Sequence, residues 1–265
     1  VVDIYVQTYD KALSPEDAPV KIGSVPLDPR SYSGSPLGVR PIVSPDGTKL
    51  LLYFDGIKAN NIKLAMCWVV DASFDPIWNG SYRLPVLAYG ATTTTHFFDN
   101  GSLSVAVDAV VLNEGNTKET SDGSLAGKVD ARYQKNTTTT LYVLHGEIFA
   151  RVDAEAIGHD RMLAGQLLHS TSGWSFAAIV SNGKGKSKKE ERVYGTLDSD
   201  GVSVTNRVPI TMEHSAGVLL DAAGAFYVHH VGKDDELTVT KLDASGQELW
   251  QHVAPYGRFP NFKLV

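Results

Sequence analysis

Two octapeptides far apart in the chain carry the same residues at the same offsets: Asp71-Ala72-Ser73-Phe74-Asp75-Pro76-Ile77-Trp78 and Asp243-Ala244-Ser245-Gly246-Gln247-Glu248-Leu249-Trp250 share Asp, Ala, Ser, an aliphatic residue and Trp. Each follows a run of strand-forming residues, 64–70 and 237–242. Weaker copies, Val152-Asp153-Ala154-Glu155 and Leu197-Asp198-Ser199-Asp200-Gly201, set Asp153, Asp198 and Asp243 at two equal steps of 45 residues (198 − 153 and 243 − 198). A repeat of that length carried on strands is the span of one four-stranded propeller blade. The expected fold class is therefore all-β, a β-propeller with four complete units and a partial blade at each end.

A second marker fixes the units. Ser44-Pro45-Asp46-Gly47, Asp99-Asn100-Gly101, Thr171-Ser172-Gly173 and Asp221-Ala222-Ala223-Gly224 each combine turn residues ahead of an apolar run, as a hairpin between a first and a second strand requires. The glycine-to-aspartate intervals agree except between Gly101 and Asp153, which implies an insertion of roughly 27 residues. It falls at 113–140, a polar, Thr- and Gly-rich stretch without an apolar period, expected as an exposed loop. The units become 41–90, 91–160, 161–211 and 212–256. Residues 1–40 are expected to hold a third and a fourth strand, and 257–265 an innermost strand at Phe262–Val265. These ends either share one blade and close a ring or belong to a larger propeller, the second reading being favoured because a shared blade still lacks its second strand.

Strand periodicity supports the units. Leu103, Val105, Val107 and Ala109 alternate with Ser102, Ser104, Ala106 and Asp108, and Trp174, Phe176 and Ala178 share one face. Leu50-Leu51-Leu52 and 65–70 are continuous, as strands buried on both faces are. Leu163 and Leu167, four apart after Ala156 and Ile157, offer a helix, but Gly158 and Gly165 limit it to a short connector.

Ser44-Pro45-Asp46-Gly47-Thr48-Lys49-Leu50 resembles the SPDG signature of WD-like repeats in the Tol-system periplasmic propeller, tricorn-type proteases and prolyl oligopeptidase propellers. Asp243–Trp250, and less closely Asp71–Trp78 with Phe74 at the glycine place, resemble the DAxxGxxxW turn of quinoprotein-type repeats in outer-membrane assembly propellers and PQQ dehydrogenases. The whole arrangement is similar to exported Bacteroidetes-type propeller proteins of uncharacterised function. The resemblance implies the fold and export, hence a periplasmic, cell-surface or secreted location. It implies no chemistry, because turn motifs only stabilise blades.

The net charge of −6 and an isoelectric point near 5.7 argue against a nucleic-acid partner, which needs a basic field. One cysteine, Cys67, excludes an internal disulfide and a cysteine-based zinc site, and its apolar setting reads as packing. No apolar run approaches the length of a membrane-spanning helix. The start at Val1, with neither Met nor a signal pattern, is expected of a chain that begins after processing or inside a longer protein.

No catalytic, metal or cofactor site is expected. There is no GxSxG elbow and no HExxH, Gly183-Lys184-Gly185-Lys186-Ser187 lacks the first P-loop glycine, and Asp198-Ser199-Asp200-Gly201 lacks the later calcium ligands. The adjacent His229 and His230 point to opposite faces of a strand. The second-to-third strand connections, 55–62, 113–140, 181–192 and 232–236, should all emerge on one face. They give a tentative binding surface of Lys58, Asn60, Asn61, Lys184, Lys186, Lys188, Lys189 and Arg192. The expected function is a non-catalytic binding or assembly scaffold of the cell envelope or extracellular space, with a protein or glycan partner and possible membership of a larger assembly. The alternative is a carbohydrate-active propeller enzyme, a glycoside hydrolase or lyase, with acids at the channel mouth, of which Asp108 and then Glu147 are the candidates.

Overall fold

The computed structural model describes residues 1–25, 39–58, 62–84, 92–110, 118–119, 125–126, 137–183, 188–211, 216–220, 225–232, 235–243 and 245–255. They form an all-β structure without an α-helix, whose larger units are four four-stranded antiparallel sheets, each a meander of consecutive strands. Sheet I is a pair, β1 (Val2–Val6) and β2 (Val20–Val25). Sheet II holds β3 (Val39–Val43), β4 (Lys49–Lys58), β5 (Ile62–Asp71) and β6 (Pro76–Leu84). Sheet III holds β7 (Thr92–Phe97), β8 (Leu103–Val110), β11 (Thr137–His145) and β12 (Glu147–Val152), interrupted in sequence by a small pair, β9 (Lys118–Glu119) and β10 (Leu125–Ala126). Sheet IV holds β13 (Arg161–Ser170), β14 (Gly173–Asn182), β15 (Lys189–Asp198) and β16 (Gly201–Ile210). Sheet V holds β17 (Ala216–Leu220), β18 (Phe226–Val231), β19 (Glu236–Leu242) and β20 (Glu248–Pro255).

Alternation along each strand decides which neighbour a sheet meets. Leu52, Phe54, Met66 and Trp68 of sheet II pack with Val25, Ile4 and Ile22 of sheet I. The interleaved Leu51, Tyr53, Ala65, Cys67 and Val69 pack with Leu103, Val105, Val107, Tyr142 and Leu144 of sheet III. Leu141 and Val143, on the opposite face of sheet III, meet Met162, Leu167, Trp174, Phe176 and Ala178 of sheet IV. Leu168, Ala177, Ile179 and Tyr194 then meet Val218, Phe226, Val228 and Leu242 of sheet V. Five sheets are thus stacked face to face, and the second and third strands between them are buried on both sides.

The fourth strands differ. Five of the ten residues of β16 and seven of the eight of β20 are exposed, which places them outside the tightly packed zone. By contrast β13, the first strand of sheet IV, packs against β17, the first strand of sheet V. Sheets IV and V therefore approach each other at their first strands.

The repeated motif is a turn held by its own aspartate. Asp71 Oδ1 accepts from the Ser73 and Asp75 amides at 2.8 and 2.9 Å, and Asp243 Oδ1 accepts from the Ser245 and Gln247 amides at the same distances. Both turns need a left-handed fourth residue: Gly246 has φ +79°, and Phe74 is held at φ +64° in its place. The closing tryptophan reaches the next sheet, since Trp78 Nε1 donates to the Gly101 carbonyl at 2.8 Å. Asp46 of the SPDG turn accepts from Ser44 Oγ and from the Thr48 amide and hydroxyl, which lowers its pKa to about 2. Its own amide donates to Asp99 Oδ1 of sheet III at 2.8 Å, so the two turns are tied together.

One local expectation changes. The threonines 137–140 start β11 and pair with 107–110 of β8, because β-branched side chains suit a sheet even where they look loop-like in sequence. The connector between sheets III and IV is a single 3-10 turn, Glu155–Ile157, closed by Gly158 at φ +74°; Leu163 and Leu167 belong to β13.

Candidate functional site

A meander sends its second-to-third strand connections and its links to the next sheet to one edge, while the first-to-second and third-to-fourth turns occupy the other. The ends of β4, β8, β14 and β18 and the starts of β5, β11, β15 and β19 thus share an edge with the ends of β6, β12 and β16. At sheet IV this loop edge carries a built set of charged side chains. His159, at the end of the link, is almost fully buried; its Nε2 lies in hydrogen-bond contact with Arg207 Nη1 and 3.4 Å from Glu191 Oε2. Arg207 also lies 3.4 Å from Glu191 Oε2 and donates from Nη2 to the Ile157 carbonyl at 2.8 Å. A guanidinium can only donate, so His159 Nε2 is the acceptor and the ring proton sits on Nδ1. Asp160 and Asn182 complete the clamp: the Gly183 amide donates to Asp160 Oδ2 at 2.8 Å, and the Asp160 amide to Asn182 Oδ1 at 2.7 Å.

Beneath that edge lies a buried polar layer between sheets IV and V. Strand alternation puts Glu190, Arg192 and Tyr194 on the face toward sheet V. Glu190 is capped by the Lys188 ammonium, and Arg192 Nη1 donates to Thr240 Oγ1 at 2.5 Å, an oxygen that also accepts from Gln251 Nε2 at 3.1 Å. His230 faces the same layer with 8% exposure. Burial, then the Arg192 charge, holds its pKa below the ordinary histidine value.

The sequence-predicted binding residues divide accordingly. Lys188 and Lys189 lie at the loop edge, Lys188 in its ion pair and Lys189 exposed at the start of β15. Lys58 is the last residue of β4, beside the 59–61 connection. Asn60, Asn61, Lys184 and Lys186 lie outside the described residues. Arg192 is not on the surface: it is 5% exposed and pins sheet IV to sheet V. The carboxylate candidates do not converge. Asp108 accepts from Thr139 Oγ1 at 2.7 Å toward the loop edge of sheet III, while Glu147 is exposed beyond His145 at its turn edge. At about 3.3 Å per residue along β11, that separates the two acids by roughly 20 Å, far beyond a glycosidase pair. Among the described residues, no three His, Cys, Asp or Glu side chains could hold a metal ion.

His159, Glu191 and Arg207 went unrecognised in the sequence, where up to 48 residues separate them. The usable signal was the alternation of 189–194, which puts Glu191 on the opposite face from Arg192.

The buried histidines give an expected pH response. Desolvation lowers the pKa of His96, His159, His169, His229 and His230 relative to the unfolded chain. The unfolded state therefore binds more protons once pH drops below about 6.5, and stability falls as pH is lowered from 7 toward 5. Urea melts at pH 7, 6 and 5 check this; a flat or rising profile contradicts it.

No protein-family model matches the chain. No curated protein matches it either. Among solved structures it is similar to the Synechocystis apocarotenoid oxygenase, at 13% identity and a TM-score of 0.41 over 94% of this chain and 55% of that one. It is also similar to an ACO/RPE65 chimera, at 13% identity and a TM-score of 0.42 over 89% of this chain and 53% of that one. The chain spans about half the length of the solved structures it matches.

Proposed function

We propose that the chain is a β-propeller, each four-stranded sheet a blade with its first strand toward the axis, acting as a non-catalytic binding or assembly scaffold. Its place of work on this reading is the bacterial cell envelope or the extracellular space, and its partner is a protein or a glycan. The observation that carries the reading is the gathering of the second-to-third strand connections on one edge, above a charged set that is clamped by hydrogen bonds. A rigid sheet scaffold that presents variable connections on one side is a common arrangement for recognition.

The test uses the purified chain with a cell-envelope extract, lysine-reactive crosslinking and mass spectrometry. Crosslinks are expected at Lys58, at Lys118, Lys128 and Lys135, and at the lysines of 184–189. The double reversal Lys188→Glu, Lys189→Glu is expected to weaken capture about tenfold, whereas Lys49→Glu on the turn edge leaves it unchanged. Crosslinks concentrated on the turn edge, or release of reducing ends from a polysaccharide panel, would overturn the reading.

A further inference from the structure

The sequence holds three Asn-Gly pairs, Asn79-Gly80, Asn100-Gly101 and Asn182-Gly183. A glycine after an asparagine leaves its amide nitrogen unshielded by a side chain, so that nitrogen can attack the asparagine side-chain carbonyl. The fold treats the three pairs differently. Asn79 and Gly80 sit inside the ladder of β6, opposite Trp68 and Cys67 of β5, with the Tyr82 hydroxyl across Gly80. Asn100 Oδ1 accepts from the Ser102 amide at 3.0 Å and from the Ser102 hydroxyl, while the Gly101 amide donates to the Phe98 carbonyl at 2.9 Å. In that turn the glycine nitrogen faces a backbone carbonyl, which is no base.

At Asn182-Gly183 the surroundings match the chemistry. Asn182 ends β14 at the loop edge, and Gly183 is exposed with φ +76°. The Gly183 amide donates to Asp160 Oδ2 at 2.8 Å, and the Asp160 amide donates to Asn182 Oδ1 at 2.7 Å. Asp160 thus holds both reacting groups, and it brings the glycine nitrogen and the side-chain carbonyl to one side of the chain. Its carboxylate is placed to receive the proton that the attacking nitrogen must lose. Its backbone N–H sits on the oxygen that gathers negative charge as the carbonyl is attacked. Because an amide N–H can only donate, the bonded atom of Asn182 is the oxygen, which leaves Nδ2 as the departing group.

We infer that Asn182 is a self-modification site, at which the fold converts asparagine to aspartate and isoaspartate with Asp160 as the base. The Gly183 nitrogen bonds to Asn182 Cγ and passes its proton to Asp160 Oδ2. The Cγ–Nδ2 bond then breaks, and Nδ2 takes up that proton and leaves as ammonia, closing a five-membered succinimide. Water opens either ring carbonyl, so one water is consumed and one ammonia released with no change of oxidation state. Opening at Cγ gives aspartate. Opening at the main-chain carbonyl gives isoaspartate and routes the backbone through Cβ, lengthening it at the residue that pairs with Lys189 of β15. Either product adds a negative charge to the loop edge. The inference concerns the covalent chemistry of the chain and stands apart from the binding role.

The test is warm incubation of the purified full chain at neutral pH, followed over time by tryptic mass spectrometry. Trypsin places the three Asn-Gly pairs on separate peptides, and each conversion is read as the mass difference between an amide and an acid. Asn182 is expected to convert about tenfold faster than Asn79 or Asn100 in the folded chain. In urea, where Asp160 no longer holds the pair, the three rates are expected to fall within about threefold of one another. Asp160→Asn keeps the shape and removes the base; with its folding checked by a urea melt, it is expected to slow Asn182 about tenfold and leave Asn100 unchanged. Conversion at Asn182 no faster than at Asn100 in the folded chain, or an unchanged Asn182 rate in folded Asp160→Asn, would overturn the inference.

Discussion

Phe176→Ala is expected to lower the unfolding free energy by about 3–5 kcal/mol. The ring is 1% exposed between sheets III and IV, among Met162, Leu167 and Trp174 of its own sheet and Leu141 and Val143 of the facing one. Truncation leaves a cavity whose walls belong to two different sheets, each already fixed by its neighbour on the other side, so collapse is limited. Domains of this kind have about 5–15 kcal/mol in hand, and the loss should show as a large drop in the urea midpoint within one transition. The exposed Leu249 is the control, with Leu249→Ala expected within about 0.5 kcal/mol of the parent. A loss below about 1 kcal/mol for Phe176→Ala would mean that sheets III and IV do not pack as described.

Gly195→Ala is the second large effect, expected at about 3 kcal/mol. Gly195 lies in β15 at the register shift against β16, where a Cβ would come within 2.2 Å of the Ser203 carbonyl oxygen and 2.4 Å of Phe176 Cε1. The first contact is with backbone, which cannot turn aside, so the methyl group must part the two strands or push Phe176 into sheet III. Gly47→Ala isolates the backbone contribution, since Gly47 has φ +72° and open space around it; it is expected to cost about 1 kcal/mol. Chemical denaturation of both variants separates the causes, and equal losses at the two positions would contradict the steric account.

The parts of the fold that sequence reveals are those in which one residue does its work locally. Asp71 and Asp243 bind their own following amides, so the turn leaves a spaced signature that survives the exchange of Gly246 for Phe74. The all-β class and the four-stranded sheets follow from such turns together with period-two runs like 103–109. Thr137–Thr140 misled because a run of hydroxyls is equally polar in a loop and in a strand, and pairing with β8 across a long insertion decides the matter. Arg192 misled for a related reason. A lysine-rich neighbourhood suggests surface, but the strand's alternation turns Arg192 inward, toward a threonine 48 residues away. The clamp of His159, Glu191 and Arg207 is assembled wholly by tertiary contact between a link, β15 and β16, and no local pattern announces it.

On the proposed propeller reading, the stacked sheets fan around an axis at their first strands. Spin labels at four exposed positions on the turn edge test it by pulsed dipolar spectroscopy: Val43 with Leu219, on the first strands of sheets II and V, and Ile77 with Leu249, on their fourth strands. Burial raises the pKa of the Cys67 thiol and keeps it unlabelled. A flat stack with sheets about 10 Å apart puts both pairs near 30 Å, at ~10 Å for each of the spacings between sheets II and V. The fan predicts a first-strand distance well below ~30 Å and a fourth-strand distance well above it. Equal distances, or a longer one between the first strands, would contradict the account.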